Sequence, residues 1–489
     1  MKSNAAPAVA AAYIAPLGSL LIFILYVAGL SVRSLLLAAI AGSLLLPMML
    51  RALRGRLDLF EPVVLANIAL GIMFVGRPLH QLITRETIHL GYDILPTFNE
   101  TLVVALIGSV SFQLGYFLRP NATAWARRLP APPPLRPQRA AFAGWFYLLL
   151  GGLLFGAFLA QQGGLGLLLV LLEGRQQSNN DLFLGSTGYL YNGLLMWGAS
   201  ALIFFAIATV ARRRLYWLWF LLPSLCLVIF YGARGGRSML LTLILAIPVF
   251  WYLWKDRRPS ARSLLLAAIV GVALLGMLRE VRTVGENRDF IGTLLAALGS
   301  PVSEALDILG GADANMFDAL ANALSVIPER TPFQHGATIT DVLIRAVPRP
   351  LWPDKPLESN DAIVNALWSE HYAKSRASPA FSVLGPFYAD SGLFTVALGM
   401  FFIGWVFALS WRWLYLHRAQ PVAQMIYAMG LPFVVILMRG TIPGTLTRML
   451  FLFVPLVLLL WLTRLRSRSR LQSRRIYPGT YPSEGYRSK

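Results

Sequence analysis

Long apolar runs recur along this chain, and they restrict its possible folds more than any other feature. Each run is about 17 to 22 residues long, close to the length of helix that crosses the hydrocarbon core of a bilayer. Hydrophobic residues make up 56% of the 489 residues and charged residues only 13%, a balance outside the range of water-soluble domains. The chain is therefore predicted to be an all-α polytopic membrane protein.

The apolar runs predict about 12 transmembrane helices. They fall at 11–30, 35–50, 62–77, 101–118, 141–160, 188–210, 215–231, 238–254, 262–279, 392–410, 421–438 and 446–463. The first is predicted to be a retained helix, because no small-residue cleavage site typical of a signal peptide follows it. Cys226 is the only cysteine, which excludes an intrachain disulfide.

Arginine-rich segments occupy every second connection between these runs. They lie at 51–56, 119–139, 212–214, 255–262, 412–418 and beyond 464. Because short basic loops stay on the cytoplasmic side, both termini are predicted to be cytoplasmic, in a bacterial inner membrane. The net charge of +20 is accordingly attributed to contact with anionic membrane lipid, and a nucleic-acid partner is not expected.

These patterns divide the chain into four parts. Residues 1–279 form an N-terminal bundle of about nine helices, 280–391 a large periplasmic loop, 392–463 the C-terminal transmembrane helices, and 464–489 a basic cytoplasmic tail. The loop is far longer than a connection requires, which is typical of a functional segment. Helical spacing of its apolar residues predicts short helices at 293–309, 315–326 and 361–374, lying against the membrane surface.

Cationic side chains on the predicted outer face are unusual, because short basic loops normally stay on the cytoplasmic side. They indicate a bound anion on the outer face. The turn Tyr231-Gly-Ala-Arg-Gly-Gly-Arg-Ser238 offers glycines for close backbone approach and two guanidinium groups for a phosphate. Alternatively, such arginines extend to lipid headgroups, and some pair with acids, as Arg282 does at helical spacing from Glu286. The predicted substrate-binding residues are Arg77, Arg234, Arg237, Arg279, Arg282, Arg345, Arg349, Lys355, Tyr388, Arg439 and Arg448.

A group that accepts a proton is also expected in the loop if the anion is a leaving group. The predicted catalytic residues are His335, Asp354 and Asp390, and Glu370 and His371 remain alternatives that the sequence does not rank. The sequence contains no DxD or HExxH motif and no cysteine cluster. We therefore predict a reaction that needs no metal and no cofactor.

Two loop segments carry a family resemblance. They are Ile344-Arg-Ala-Val-Pro-Arg-Pro-Leu-Trp-Pro-Asp-Lys-Pro356 and Ser378-Pro-Ala-Phe-Ser-Val-Leu-Gly-Pro-Phe-Tyr-Ala-Asp-Ser-Gly392. This pattern resembles the Wzy-type polymerases of O-antigen and other oligosaccharide repeat units, and the arginine-glycine turn is similar to a motif of that family. The resemblance covers the topology loosely and the loop more closely, and it implies a GT-C-like layout. One departure is that no acidic residue precedes Tyr388, whereas Asp390 follows it.

The resemblance implies a membrane glycosyltransferase that joins undecaprenyl-diphosphate-linked oligosaccharides at the periplasmic face, extending a surface polysaccharide. It further implies a flippase and a chain-length regulator as partners. Two alternatives stay open: an O-antigen ligase-like enzyme that transfers finished glycan to a lipid core, and a transporter or flippase of the lipid-linked unit. A transporter is expected to hold its charges near the bilayer midplane, whereas this chain carries them at the outer helix ends.

Overall fold

The computed structural model of the protein describes residues 29–118, 121–164, 166, 190–233, 237–283, 299–311, 314–347, 352, 354, 359–375 and 379–457. Within this part of the chain the secondary structure is almost wholly helical, and the strands form a single two-stranded hairpin. The prediction of an all-α membrane protein is confirmed at this level.

Eight helices of the described chain are long and apolar enough to cross a membrane. They are Val32–Leu53, Pro62–Thr84, Phe98–Leu118, Pro137–Gln161, Gly193–Val210, Leu215–Gly232, Leu393–Leu416 and Pro421–Arg439. Three more predicted spans are represented by the shorter apolar helices Met239–Trp254, Arg262–Leu274 and Ile442–Val457. The predicted first span, 11–30, lies almost entirely outside the described residues, so the total of 12 spans stays a prediction.

The first half of the chain contains ten helices in its described part, and one hairpin. They are α1 (Val32–Leu53), α2 (Pro62–Gly71), a π-helical turn (Ile72–Gly76), α3 (Arg77–Thr84), β1 (Ile88–His89), β2 (Tyr92–Asp93), α4 (Phe98–Leu118), α5 (Ala122–Arg128), α6 (Pro137–Gln161), α7 (Gly193–Val210), α8 (Leu215–Ala233), α9 (Arg237–Ile244) and α10 (Ala246–Trp254). The strands are antiparallel, with Ile88 opposite Asp93.

The second half begins with α11 (Ala261–Thr283) and continues through a group of short helices. These are α12 (Pro301–Gly310), α13 (Met316–Leu324), α14 (Ala337–Ala346), α15 (Ser359–Ser375) and α16 (Leu384–Ser391). Long apolar helices then return as α17 (Leu393–Leu416), α18 (Pro421–Gly430), α19 (Pro432–Arg439) and α20 (Ile442–Val457).

Helix boundaries follow local chemistry that can be read in the sequence. Ser31 caps α1, because its side chain accepts from the Ser34 backbone N–H while the Ser34 hydroxyl accepts from the Ser31 N–H. Proline stands at the first position of α2, α6 and α18, where its missing N–H leaves no hydrogen bond unmade. Proline at the start of α19 likewise separates it from α18.

Helices α4 and α17 approach each other unusually closely, and glycine permits this. A Cβ atom at Gly115 would lie 1.9 Å from the Phe401 carbonyl oxygen, and one at Gly404 would lie 2.2 Å from the Phe112 carbonyl oxygen. Such contacts between backbones replace the hydrophobic driving force, which is weak between helices already surrounded by lipid. Any larger residue at Gly115 would separate the two helices and loosen everything they carry.

The predicted loop contains more helices than expected, and one of the predicted helices is buried. Helices form in each of the three predicted segments, as α12, α13 and α15, and α14 and α16 are additional. Every residue of α13 is buried inside the protein, so this helix does not lie on a surface as predicted. Its apolar residues pack on several sides at once, which a spacing pattern alone does not distinguish from one face turned to lipid.

The orientation deduced from arginine placement can be tested with cysteine labelling, because Cys226 is the only native cysteine. In a Cys226→Ser background, Glu329→Cys in the loop region is expected to react with a membrane-impermeant maleimide in cells whose outer membrane has been permeabilised. Arg213→Cys, between α7 and α8, is expected to react only after the inner membrane is opened. Both native residues are exposed, so accessibility does not limit the comparison. The reverse labelling pattern would contradict the predicted topology.

Candidate functional site

The short helices after α11 are organised around α13. Phe317 on α13 packs edge-to-face on Phe98 at the start of α4, with ring centroids 4.8 Å apart. The hairpin, α15 and α16 contact the other sides of α13. We call α13, β1–β2, α15 and α16 together the α13 cluster. It fixes one end of the helix bundle, and several of the predicted site residues lie in it or next to it.

Arg77 forms a buried ion pair with Asp318 of the α13 cluster. The Arg77 Nη2 and Nε atoms donate to Asp318 Oδ2 at 2.6 and 3.0 Å, and Nη1 donates to the carbonyl oxygens of Leu309 and Gly310 at 3.1 and 2.7 Å. Gln81 Nε2 donates to Asp318 Oδ1 at 2.7 Å. The two charges are 7% and 0% exposed. This set of contacts joins α3, α12 and α13.

Pro78, the residue after Arg77, explains why the helix is distorted just before Arg77. Pro78 has no backbone N–H, and its ring collides with the carbonyl one turn earlier in a regular α-helix. The chain widens into the π-helical turn Ile72–Gly76 before this point, which rotates the following residues relative to a straight helix. Arg77 is predicted from the sequence to bind substrate phosphate. The structure instead commits its guanidinium to protein partners, so we assign it a structural role.

His89 occupies a second buried polar contact of the same cluster. Its Nε2 lies 3.1 Å from the Asn315 side-chain amide and its Nδ1 lies 3.2 Å from that of Asn322, while Asn322 also donates to the His89 carbonyl oxygen. Burial lowers the pKa of His89 below its ordinary value of 6.5, the Asp318 charge raises it, and the Arg77 charge lowers it. The net direction is downward, which keeps the imidazole neutral near pH 7.

The lowered pKa of His89 predicts that acid destabilises the protein. Since the unfolded chain gains a proton more readily, the stability contributed by the neutral ring is complete above 6.5 and is lost as pH falls toward the folded pKa. The thermal unfolding midpoint in detergent is therefore expected to fall between about pH 7.5 and about pH 5.5, and His89→Gln should reduce that difference. His335→Gln, which removes an exposed histidine, is the control and should preserve it.

Asp390, a predicted catalytic residue, lies at the end of α16 and is 7% exposed. Its Oδ1 accepts a hydrogen bond of 3.2 Å from the Thr338 backbone N–H in the first turn of α14. A carboxylate in this position satisfies one of the unpaired N–H groups of the helix and interacts favourably with the helix dipole. Asp390 therefore ties α14 to α16, and a catalytic role for it stays a prediction.

His335 lies just before α14 with an exposed ring. Its Nδ1 is 3.1 Å from the Ser391 hydroxyl oxygen, and that hydroxyl donates to the Asp390 carbonyl oxygen at 2.7 Å. Because the Ser391 hydrogen is used in this way, its oxygen accepts from an N–H at His335 Nδ1. A neutral ring with this hydrogen bond carries its proton on Nδ1, which makes Nε2 the acceptor nitrogen. Of the three predicted catalytic residues, His335 has the geometry best suited to a general base.

Tyr388 lies near the same histidine and is half-buried. Its ring centroid is 6.1 Å from that of Phe333, which in turn is 6.4 Å from the His335 ring. Burial raises the pKa of Tyr388, and the charge of Glu100 raises it further, so the phenol stays protonated and can donate a hydrogen bond. The aromatic pair provides an apolar surface of the kind on which a sugar ring stacks.

Two of the predicted arginines come together from distant parts of the sequence. Arg345 is on α14 and Arg448 is on α20, and their charges lie close enough to interact electrostatically. The hydroxyl groups of Tyr191 and Tyr231 are the other groups that act on Arg448. In the part of the chain that the structure describes, no carboxylate contacts Arg448. A like-charged neighbour and no contacting carboxylate would favour a bound anion at Arg448.

Tyr231, which acts on Arg448, is the first residue of the glycine-arginine turn. Tyr231 is on the last turns of α8, three residues before Arg234 in sequence. The Met438 carbonyl oxygen, next to Arg439, accepts from the Ser382 hydroxyl at 2.7 Å and from the Val383 backbone N–H at 3.3 Å. These hydrogen bonds attach the end of α19 to the chain that enters α16. Arg439 is half-buried there.

The remaining predicted residues are placed only in part. Asp354 is exposed. The backbone positions on α9 and α11 are described, without their side chains, for Arg237, Arg279 and Arg282. The predicted ligands that lie outside the described residues are Arg234, Arg349 and Lys355. Their predicted contact with substrate stays a prediction.

The buried polar residues of the α13 cluster were not predicted, although the sequence contains a signal for them. Asn315, Asp318 and Asn322 follow each other at intervals of three and four residues, which places them on one face of a helix. A polar stripe inside an otherwise apolar helix indicates buried partners, here Arg77 and His89. Residue spacing could have predicted the stripe, but not which distant residues meet it.

Comparison with known proteins does not assign this chain to a family. No protein-family model, no curated protein and no solved structure matches the chain. Within the described ranges no three histidine, cysteine, aspartate or glutamate residues lie together as a metal site would require. A metal-independent reaction therefore stays a prediction.

Proposed function

We propose that this chain is a membrane glycosyltransferase that polymerises oligosaccharide repeat units carried on undecaprenyl diphosphate. The single observation that carries the proposal is that Arg448 interacts electrostatically with a second cation, Arg345, while no carboxylate of the described residues contacts Arg448. A diphosphate would supply an anionic partner for Arg448, because a guanidinium group forms paired hydrogen bonds to phosphate oxygens. Tyr191 and Tyr231 supply hydroxyl groups at the same place.

The proposed reaction separates leaving-group stabilisation from proton removal. A hydroxyl oxygen of the acceptor sugar attacks the anomeric carbon of the donor, and the bond from that carbon to the diphosphate oxygen breaks. The polyprenyl diphosphate leaves with the bonding electron pair, and Arg345 and Arg448 stabilise its developing charge. His335 Nε2 takes the proton of the attacking hydroxyl. A new glycosidic bond replaces the bond to the carrier lipid.

Helix α14 positions both the proposed general base and one of the proposed diphosphate ligands. His335 precedes its first turn and Arg345 lies in its last turn, an interval of about 15 Å at the usual helical rise. The sugar next to the diphosphate and the diphosphate itself are proposed to bridge that interval. The hydrogen bond from the Thr338 N–H to Asp390 fixes the start of α14 against α16. In this proposal Asp390 positions the site without contacting substrate.

The test is the surface glycan of a strain that lacks the protein. Loss of a polymerase is expected to leave single repeat units attached to the cell surface, and the native chain should restore the full length ladder. His335→Gln is expected to restore it weakly, with a rate lower by a factor of about 100, the usual contribution of a general base. Attached chains absent while free polymer accumulates would identify a ligase. Loss of all periplasmic glycan would identify a flippase.

A further inference from the structure

A large cavity lies at the other end of the helix bundle from the α13 cluster. Phe98, at the start of α4, contacts α13, whereas Phe117, at the end of α4, lines the cavity. Phe98 and Phe117 are 19 positions apart, which separates the two places by about 30 Å along the helix. The cavity has a volume of about 810 Å³. It is therefore a separate site from the proposed polymerase centre.

Positive charge dominates the wall of this cavity. Six arginines and two carboxylates line it, an excess of four positive charges. The arginines come from the end of α1 and the connection after it, from the connection after α10, and from the end of α17 and the residues after it. They are Arg51, Arg54, Arg56, Arg258, Arg412 and Arg418. No contiguous segment contains this set, so the fold assembles it.

Both carboxylates of the wall are already neutralised. Glu61 pairs with Arg51, whose Nη2 donates to Oε1 at 2.5 Å, and Glu61 Oε2 accepts from the Tyr116 hydroxyl at 2.7 Å. Asp58 pairs with Arg258. These ion pairs form a fixed frame at the cavity, and they leave neither acid available for the other arginines.

Three of the remaining arginines have no acidic partner in the described chain. Arg54 and Arg56 are exposed at the cavity mouth, and no carboxylate contacts either. Arg412 extends from α17, and its Nε–H is buried without a hydrogen-bond partner. A buried, unpaired N–H on a cation carries a desolvation cost that a bound anion removes. Arg418 differs, because it pairs with Asp256 outside the cavity.

The shape of the site distinguishes it from an ordinary basic loop. Arginines that follow the positive-inside rule need only point outward to headgroups, whereas these surround a concave space. Its wall also includes apolar side chains, among them Phe117, Leu253 and Trp411. Concave geometry, excess charge and an unsatisfied buried donor together indicate a ligand.

We propose that this cavity binds an anion that carries two or more phosphate groups. Arg54, Arg56 and Arg412 are the ligands, since each has donors that no carboxylate of the described residues occupies. Several phosphates match their combined charge better than one, and the paired N–H groups of arginine suit phosphate oxygens. The same chemistry is presented by the headgroup of a diphosphatidyl lipid and by a soluble polyphosphate.

Two binding measurements on the purified full chain test the proposal and separate these sources. The soluble arm titrates inorganic tripolyphosphate into protein in neutral detergent by calorimetry. The lipid arm counts retained cardiolipin molecules by native mass spectrometry after mixed-micelle exchange. The triple variant Arg54→Gln, Arg56→Gln, Arg412→Gln is expected to bind at least one probe about tenfold more weakly than the native chain, and added salt should weaken native binding.

The matched control removes three arginines from another loop at the same end of the bundle. Phe205, near the end of α7, contacts Trp217 on α8 and Trp251 near the end of α10, so Arg212, Arg213 and Arg214 lie at that end. They do not line the cavity. Arg212→Gln, Arg213→Gln, Arg214→Gln is expected to change affinity less than about twofold.

Each outcome has a defined meaning. Loss of tripolyphosphate binding alone indicates a soluble ligand, and loss of retained cardiolipin alone indicates a lipid headgroup. Loss of both supports the shared chemistry. Equal losses in the two triple variants, or no binding of either probe to the native chain, would overturn the proposal. If the cavity variant is not monodisperse, Arg54→Glu, an exposed charge reversal, is judged by the same criteria.

Discussion

Replacing Arg448 with glutamine is expected to reduce the surface glycan to short chains, with the polymerisation rate lowered by a factor of about 100 or more. The substitution removes one of the two guanidinium groups that the fold brings together at α14 and α20. Glutamine keeps a polar side chain but provides neither positive charge nor a forked donor. The length distribution of surface glycan in a complemented deletion strain measures the effect, at matched protein levels.

The size of this effect depends on what the arginine does in the reaction. Charge develops on the diphosphate only as the bond to the sugar breaks, so a fixed cation stabilises the transition state more than the ground state. Arg448→Lys retains the charge without the paired hydrogen bonds and is expected to restore intermediate chain lengths. A lysine variant as inactive as glutamine would indicate that geometry matters more than charge.

Arg330→Gln is the matched control for this prediction. Arg330 is an exposed arginine of the same loop region, and its side chain was not predicted to bind substrate. We expect a normal ladder from this variant. A normal ladder from Arg448→Gln, with normal protein levels, would contradict the proposed diphosphate site.

Replacing Arg77 with leucine is expected to destabilise the protein by about 3–5 kcal/mol, because it leaves the Asp318 carboxylate buried and unpaired. Asp318 is 0% exposed, so water cannot replace the lost partner. The carbonyl oxygens of Leu309 and Gly310 lose their donors as well. Reversible unfolding of the detergent-solubilised chain measures the change in free energy.

The double variant Arg77→Leu, Asp318→Leu separates the ion pair from the individual charges. Removing both charges avoids the unpaired carboxylate, so the double variant is expected to be more stable than Arg77→Leu alone. Arg418→Leu is the matched control, because it breaks an exposed ion pair with Asp256 and should cost about 1 kcal/mol or less. Equal destabilisation by Arg77→Leu and Arg418→Leu would contradict the structural role assigned to Arg77.

Much of the helical layout was predictable, because it depends on local properties. Eight of the predicted spans form helices long enough to cross a membrane, and proline or serine marks several of their starts. The short helices α14 and α16 were missed. α14 contains the β-branched run Thr338-Ile-Thr340 near its start and α16 contains Gly385 and Pro386, and residues of these types have low helix propensity.

The sequence indicated which arginines are unusual, but it did not indicate what each of them does. Arginines at the predicted outer helix ends were identified by their conflict with the charge bias, and one of them, Arg448, interacts electrostatically with the loop residue Arg345. Arg77 satisfied the same criterion and proved to be in a buried ion pair. An arginine that conflicts with the charge bias is expected to have an anionic partner. That partner can be a carboxylate within the chain as well as a bound phosphate.

The sequence by itself determined that this is an all-α, multi-pass membrane protein, because apolar run length and composition act locally and need no knowledge of neighbours. Only the tertiary structure decided which charges are paired. Arg77 and Asp318 are 241 residues apart, and the cavity arginines come from three separate connections and helix ends. The energy of a charge depends on the groups within a few ångströms of it, and folding alone sets those distances.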